Sequence, residues 1–396
     1  MTMLFDLSQD LVEEILSRVP ITSLGAVRST CKSWNLLSKN RILCNAKPRN
    51  QFLGFMMMGY NRLSSMRFNL HGILNEDMEE FFDPSIKEIG NLLNQGEIIY
   101  KVLYCDGLLL LCVNKKRDTR LLVWNPYLGQ TRWIQPKTTM TTTCIYALGY
   151  DNNQNHKILR VFDNQGYYEI YDFKYNSWRA FDVIPNWEID FCRGGASVNG
   201  NTYFWTQERM EGYDSFQTPY FLICFDFTAE RFGQVLPLPF QHHDDDENTG
   251  ILSFVKEEKL SVLYQCMHSS VIEIWITTKI EPNAVLWIPF LKVDIEPLTG
   301  LYFQFNKTCD GFFIDEDKKV VVVFDLDEQE DYINAYIIGE NICLKKVDLG
   351  EVRTLYCPIV CSSSYVPSLV KIKEKRKSKR KRISRSEPTT KQGSHY

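Results

Sequence analysis

The hydrophobic positions of this chain change period once. Between Asp6 and Val19, Leu7, Leu11, Val12, Ile15, Leu16 and Val19 recur every three to four residues, with Gln9, Asp10, Glu13, Glu14, Ser17 and Arg18 between them. That spacing predicts an amphipathic helix. Asp6 followed by Gln9 gives one N-terminal capping signal, and Ser8 gives a competing one. Acids fill the first half and Arg18 the last turn, as the helix dipole prefers, and Pro20 stops the helix. A second start follows at Thr22-Ser23, after which Leu24, Val27, Cys31, Trp34 and Leu37 keep helical spacing. This stretch predicts two further short helices with a bend near Thr30 to Lys32. So small a module has few apolar contacts of its own, yet its apolar faces are broad. The surplus either meets a partner or packs on the body behind it, and periodicity leaves both open.

From Arg49 onward the helical period gives way to short apolar runs separated by turn signals such as Asp106-Gly107, Leu128-Gly129, Asn199-Gly200 and Asp317-Lys318. An aromatic followed by Asn or Asp recurs at the end of these runs: Trp124-Asn125, Tyr171-Asp172, Phe225-Asp226 and Phe324-Asp325, with Trp275 filling the same role without the acid. The intervals between these aromatics are 47, 54, 50 and 49 residues, a spacing that suits kelch-type blades. A second aromatic follows in several units, at Trp133, Trp178, Phe232 and Trp287. One four-stranded blade cannot bury both faces, whereas a ring of blades can. Counting Phe68 as a degenerate first unit, the expected fold is an N-terminal three-helix module followed by a kelch-like β-propeller of six blades. The aromatics should pack between blades while the Asn or Asp caps the following turn. A pair of β-sandwiches is the alternative, but it would not need a fifty-residue period.

The run from Asp10 to Asn35, with its Leu-Val-Glu-Glu-Ile-Leu core, Arg-Val-Pro stop and Cys-Lys-Ser-Trp ending, resembles the F-box of the large plant F-box family. Segments of the body, including Val102 to Leu111, Val123 to Ile134, Tyr168 to Arg179, Phe221 to Gly233 and Tyr365 to Val370, are similar to the type 1 F-box-associated domain. The resemblance implies three regions: an F-box over 1–46, a propeller-like domain over 47–366 and a basic tail over 367–396. It implies a substrate-recognition subunit of an SCF-type (Skp–cullin–F-box) E3 ubiquitin ligase. The Skp adaptor, and through it a cullin–RING ligase, would be met by Leu7, Ser8, Leu11, Ile15, Leu16, Pro20, Leu24, Val27, Cys31 and Trp34, while the β domain holds a protein target. The family normally has Leu-Pro where this chain has Leu7-Ser8, so weakened adaptor docking is expected. A scaffold that no longer assembles a ligase is the alternative.

Charge and chemistry narrow this further. Lys371 to Arg385 carries ten basic side chains against one acid, +9 in all, so the formal net charge of −4 leaves −13 on the rest. An acidic body is a poor nucleic-acid surface. The tail reads as solvated, with Lys375, Arg376, Lys377, Lys379, Arg380, Lys381 and Arg382 as a nuclear-import candidate. Nucleus, cytoplasm or both are the expected location. The start shows no secretory pattern, and the 12 cysteines, scattered without a framework, read as free thiols. No uncharged apolar run reaches membrane-spanning length. The six histidines form no metal motif. His242-His243 with Asp244 to Glu247 is the one tempting cluster, and it reads as a solvated loop. No nucleotide loop or nucleophile elbow is present, so the expectation is a non-catalytic receptor with no cofactor.

Overall fold

The computed structural model describes Ser8, scattered positions from Leu11 to Leu37, and most of the chain from Gln51 to Ile372. Outside the described residues lie 1–7, 38–50, 70–84 and 373–396, with shorter stretches that include 138–143, 163–166, 210–218, 241–247, 328–331, 340–344 and 352–358. Backbone is helical at Leu11, Val12, Ile15, Leu16, Val27, Thr30, Lys32, Trp34, Asn35 and Leu37. The number and packing of helices in this module fall outside the described residues.

Six antiparallel sheets follow, as the fifty-residue period predicts. Blade 2 runs over Ile98–Cys105, Leu108–Lys115, Asp118–Asn125 and Gln130–Ile134. Blade 3 is Cys144–Tyr150, His156–Phe162, Tyr167–Asp172 and Ser177–Asp182. In blade 4 the first strand is split into Trp187–Ile189 and Gly195–Val198, both paired with Asn201–Glu208, and Phe221–Asp226 and Arg231–Leu236 complete it. Blade 5 is Thr249–Val255, Lys259–Gln265, Val271–Glu281 and Ala284–Asp294. Blade 6 is Phe312–Asp315, Val320–Asp327, Tyr332–Gly339 and Lys345–Glu351. Blade 1 takes Gln51–Met57, Leu63–Asn69 and Ser85–Glu88 from the beginning of the body and its first strand, Ile359–Val360, from the end. That strand pairs with Phe55 and Met56 and closes the ring.

First strands of neighbouring blades touch, so they line the axis. Leu109, Leu111, Val113, Trp205, Leu222, Val262, Val322 and Phe324 join one core that spans several blades, and smaller cores fill the seams between blades 2 and 3, 3 and 4, and 5 and 6. Near-continuous apolar strands such as Leu108 to Val113 are what burial on both faces requires.

The repeat explains itself in hydrogen bonds. Asn125 Oδ1 accepts from Leu128 N at 2.9 Å, Asp172 Oδ1 from Lys174 N at 2.7 Å, and Asp226 Oδ1 from Thr228 N at 2.7 Å. These are the expected turn caps. In blades 3 and 4 the second aromatic sits opposite the first on the outer strand, Trp178 beside Tyr171 and Phe232 beside Phe225. Trp178 Nε1 then donates to Gln135 O, and Trp287 Nε1 to Pro237 O, each fastening its blade to the one before.

Phe324-Asp325 departs from the pattern. It lies on the second strand of its blade, not the third, and Asp325 Oδ1 accepts from Asn306 N. Its spacing matched the period although its place in the blade differs. Ile372 is also buried, packed against blade 2.

Candidate docking surfaces

At the N-terminal module, Ser8 starts the helix. Its Oγ accepts from Leu11 N at 3.4 Å and its main-chain O from Val12 N at 3.1 Å, the arrangement of an N-cap. The helix that follows divides its apolar residues. Val12 and Leu16, four apart, are 6% and 1% exposed, whereas Leu11 and Ile15, also four apart, are 54% and 40% exposed. The family resemblance implies adaptor contact for Leu11, Ile15 and Leu16 alike; here Leu16 turns inward with Val12, while Leu11 and Ile15 are exposed. Val27 and Trp34 are half-buried. Leu7, Pro20, Leu24 and Cys31 lie outside the described residues, as do the import candidate Lys375 to Arg382 and the histidine-acid loop 241–247.

The propeller has two unlike faces. Turns joining first to second and third to fourth strands lie on one face and are mostly tight, as at 106–107, 126–129, 173–176 and 199–200. Asp106-Gly107 and Asn199-Gly200 both take positive φ at each residue (50° and 68°, 50° and 80°), the geometry that narrow hairpins demand. The strand ends joined by the long connections 135–143, 209–220, 237–248 and 295–311 lie on the opposite face. The chain enters the propeller at Gln51 on the short-turn face, because Gln51–Met57 is a second strand. After closing the ring it returns to that face, where Tyr365 Oη donates to Gly107 O and Ile372 N to Gln130 Oε1.

On the short-turn face, blades 3 and 4 enclose a cleft of about 460 Å³ lined by Asp151, Lys157, Asp172, Tyr175, Arg179 and Glu230, among others. Lys157 Nζ, 5% exposed, meets Asp151 Oδ2 at 3.1 Å, Glu230 Oε1 at 3.0 Å and Phe227 O at 2.9 Å. Burial works against the charge on Glu230, but hydrogen bonds from Arg179 and Lys157 outweigh it and hold the carboxyl below its ordinary range. Burial likewise opposes the Lys157 charge, and its two carboxylate partners raise its pKa nonetheless. The buried charges of this cleft are already matched, so they join two blades rather than waiting for an ion.

Among the described residues no group of three or more His, Cys, Asp or Glu side chains is placed to hold a metal ion, and no helix is long and apolar enough to cross a membrane. Cys105, Cys112 and Cys224 are buried free thiols, and burial pushes Cys224 up to about 12. The molecule thus pairs a small helical module, bearing exposed apolar residues, with a closed six-bladed ring.

Comparison with known proteins agrees. The F-box domain family matches residues 4–45, and the F-box associated beta propeller domain family matches residues 53–372. The chain belongs to the F-box proteins with an F-box-associated propeller. It is 60% identical over 385 residues to F-box protein At3g19880 of Arabidopsis thaliana, covering 94% of each chain. It is 59% identical over 382 residues to F-box/kelch-repeat protein At4g05080 of the same plant, covering 94% of this chain and 93% of that one. F-box protein At3g19890, also of Arabidopsis thaliana, is 50% identical over 389 residues, at 94% and 93% coverage. F-box proteins with such propellers are in general non-catalytic adaptors, and F-boxes in general bind Skp-type adaptors.

Proposed function

We propose that this chain is the substrate-recognition subunit of a Skp–cullin–F-box ubiquitin ligase, its F-box docking the Skp adaptor and its propeller holding a protein target. One observation carries the reading: Leu11 and Ile15 stand exposed on a helix in which Val12 and Leu16 are buried. Two large apolar side chains one turn apart are what a helix-in-groove contact uses. The receptor itself needs no catalytic residue, since it works by raising the local concentration of target beside a conjugating enzyme bound elsewhere.

Capture of purified Skp adaptor by the full chain is the test. Wild type should bind, and Leu11→Asp with Ile15→Asp should abolish binding without unfolding the propeller. No capture by wild type, or undiminished capture by the double variant, would sink the reading. A second reading, an F-box scaffold that does not recruit the cullin, is motivated by Ser8 standing where the family has proline. It predicts adaptor capture without cullin, or weak capture restored by Ser8→Pro. We also place the protein in the nucleus, the cytoplasm or both, with Lys375 to Arg382 as an import signal. A large reporter carrying residues 371–385 that stayed cytoplasmic would argue against import.

A further inference from the structure

In the proposed receptor role, on which this inference rests, the propeller needs a place to hold a target. The cleft of about 460 Å³ on the short-turn face is one that is open: Asn153, Lys174, Tyr175, Ser177 and Arg179, all part of its lining, are exposed. Two tight turns of blade 3 shape its rims. In one, Asp151 Oδ1 accepts from Asn153 N at 2.9 Å and Asn155 N at 3.0 Å. In the other, Asp172 Oδ1 accepts from Lys174 N at 2.7 Å and Tyr175 N at 3.1 Å. Side-chain oxygens that bond the backbone two and three residues on fix such turns locally. Glu230, from a turn of blade 4, completes the lining.

Acids and bases in this lining are sorted by depth. Asp151, Asp172 and Glu230 are buried or half-buried, and each carboxylate already accepts at least two hydrogen bonds from the chain. Lys157 lies among them, with its ammonium shared by Asp151, Glu230 and Phe227 O. The other two bases stand at the mouth. Arg179, 44% exposed, gives Nη2 to Glu230 Oε1, and among the described residues no acceptor meets its Nε or Nη1. Lys174 forms no ion pair among the described residues; its Nζ stands 5.4 Å from the centre of the Tyr175 ring, and Tyr175 is 66% exposed.

A partner that approaches the cleft therefore meets two cations and an aromatic ring before any carboxylate. Charges elsewhere on the acidic body are screened beyond about 8 Å at physiological salt, so these two decide the sign of the guest. The amount of charge is decided inside. Asp151, Asp172 and Glu230 balance Lys157, Lys174 and Arg179. A guest that brings one negative charge disturbs this balance less than a phosphate, which brings up to about two. We propose that the mouth of this cleft docks an Asp/Glu-rich segment of the protein target, seating a carboxylate between Lys174 and Arg179 beside Tyr175.

The test titrates full-length protein with three fluorescent peptides of equal length: one Asp/Glu-rich, one phosphoserine-rich and one Lys/Arg-rich. The Asp/Glu-rich peptide should bind, more weakly as salt is raised. The phosphoserine peptide should bind no tighter, and the basic peptide should not bind. Lys174→Gln should weaken acidic-peptide binding about threefold, within the range of one exposed ion pair. Lys174→Glu, which sets like charges together, should weaken it roughly tenfold or more. No hydrogen bond among the described residues uses the Lys174 side chain, so both variants should melt with the wild type. No binding of the Asp/Glu-rich peptide, preference for the basic or phosphorylated one, or wild-type affinity in Lys174→Glu would each overturn the proposal. Skp adaptor capture, measured on every variant, should stay at wild-type level; its absence in wild type would instead undermine the receptor reading itself.

Discussion

Asn125 is hydrogen-bonded to Ser368 across almost the whole propeller sequence: its Nδ2 donates to Ser368 O at 3.0 Å, and also to Val370 O at 2.9 Å. Asn125 is fully buried, and its Oδ1 meanwhile caps its own turn through Leu128 N. Among the described residues the closing strand of blade 1 pairs through Ile359 and Val360, and this second fastening also holds the C-terminal part of the ring. Gly107 makes room for it, since a Cβ at that position would come within 2.4 Å of Ser368 Cβ. Asn125→Ala should lower stability by about 2–3 kcal/mol, the combined effect of its lost hydrogen bonds. Truncation after Ser364 should also destabilise, and Asn125→Ala should cost less in the truncated chain than in the full one. Thermal denaturation of the four proteins measures this coupling.

Arg160 and Glu169 face each other across the second and third strands of blade 3, with Nη1 and Oε2 3.3 Å apart and side chains 2% and 4% exposed. Removing one partner of such a pair leaves a charge buried without its counterion. Glu169→Gln should cost about 3 kcal/mol, while Arg160→Met with Glu169→Leu should recover most of the loss. Urea denaturation of Glu169→Gln and of the double variant checks the expectation.

Ser8 supplies an N-cap through Oγ as well as standing where the family has proline. Ser8→Ala should weaken the first helix by about 1 kcal/mol, and Ser8→Gly by only a few tenths. If the adaptor reads the folded helix, its affinity should fall about fivefold for Ser8→Ala. Titration calorimetry against the Skp adaptor gives the numbers.

Glu230 is bound by Arg179 at 2.6 Å and by Lys157 at 3.0 Å. Because its folded pKa is depressed, its contribution to stability is present above the ordinary carboxylate value of 4.5 and is lost as pH falls through the lower, folded value. Asp151, whose pKa burial raises but the bonds from Asn155 and Lys157 lower further, acts in the same sense. Glu230→Gln should therefore cost stability at neutral pH and flatten the acid limb of the stability profile. Denaturant titrations from neutral pH to below the carboxylate range measure both effects.

Much of the architecture was legible because it repeats. The spacing of Trp124, Tyr171, Phe225 and Trp275 marks the third strand of successive blades, and Asn125, Asp172 and Asp226 cap turns within a few residues of themselves. Such local chemistry can be read without the fold. Phe324 misled because an apolar strand ending in aromatic-Asp satisfies the same local rule on the second strand as on the third. Only the order of the sheet, in which Phe312–Asp315 precedes Val320–Asp327 and two strands follow it, distinguishes them.

By itself, then, the sequence determined a helical module, a six-fold β repeat, an acidic body and a basic tail, since period, turn chemistry and charge are properties of neighbouring residues. It could not divide Leu11 and Ile15 from Val12 and Leu16, because two positions four apart lie on one helix face wherever that face points. Nor could it bring Asn125 to Ser368, or Lys157 to Glu230. Those meetings join different blades or the two ends of the ring. The tertiary structure decided them, because closing the ring sets which strand ends share a face.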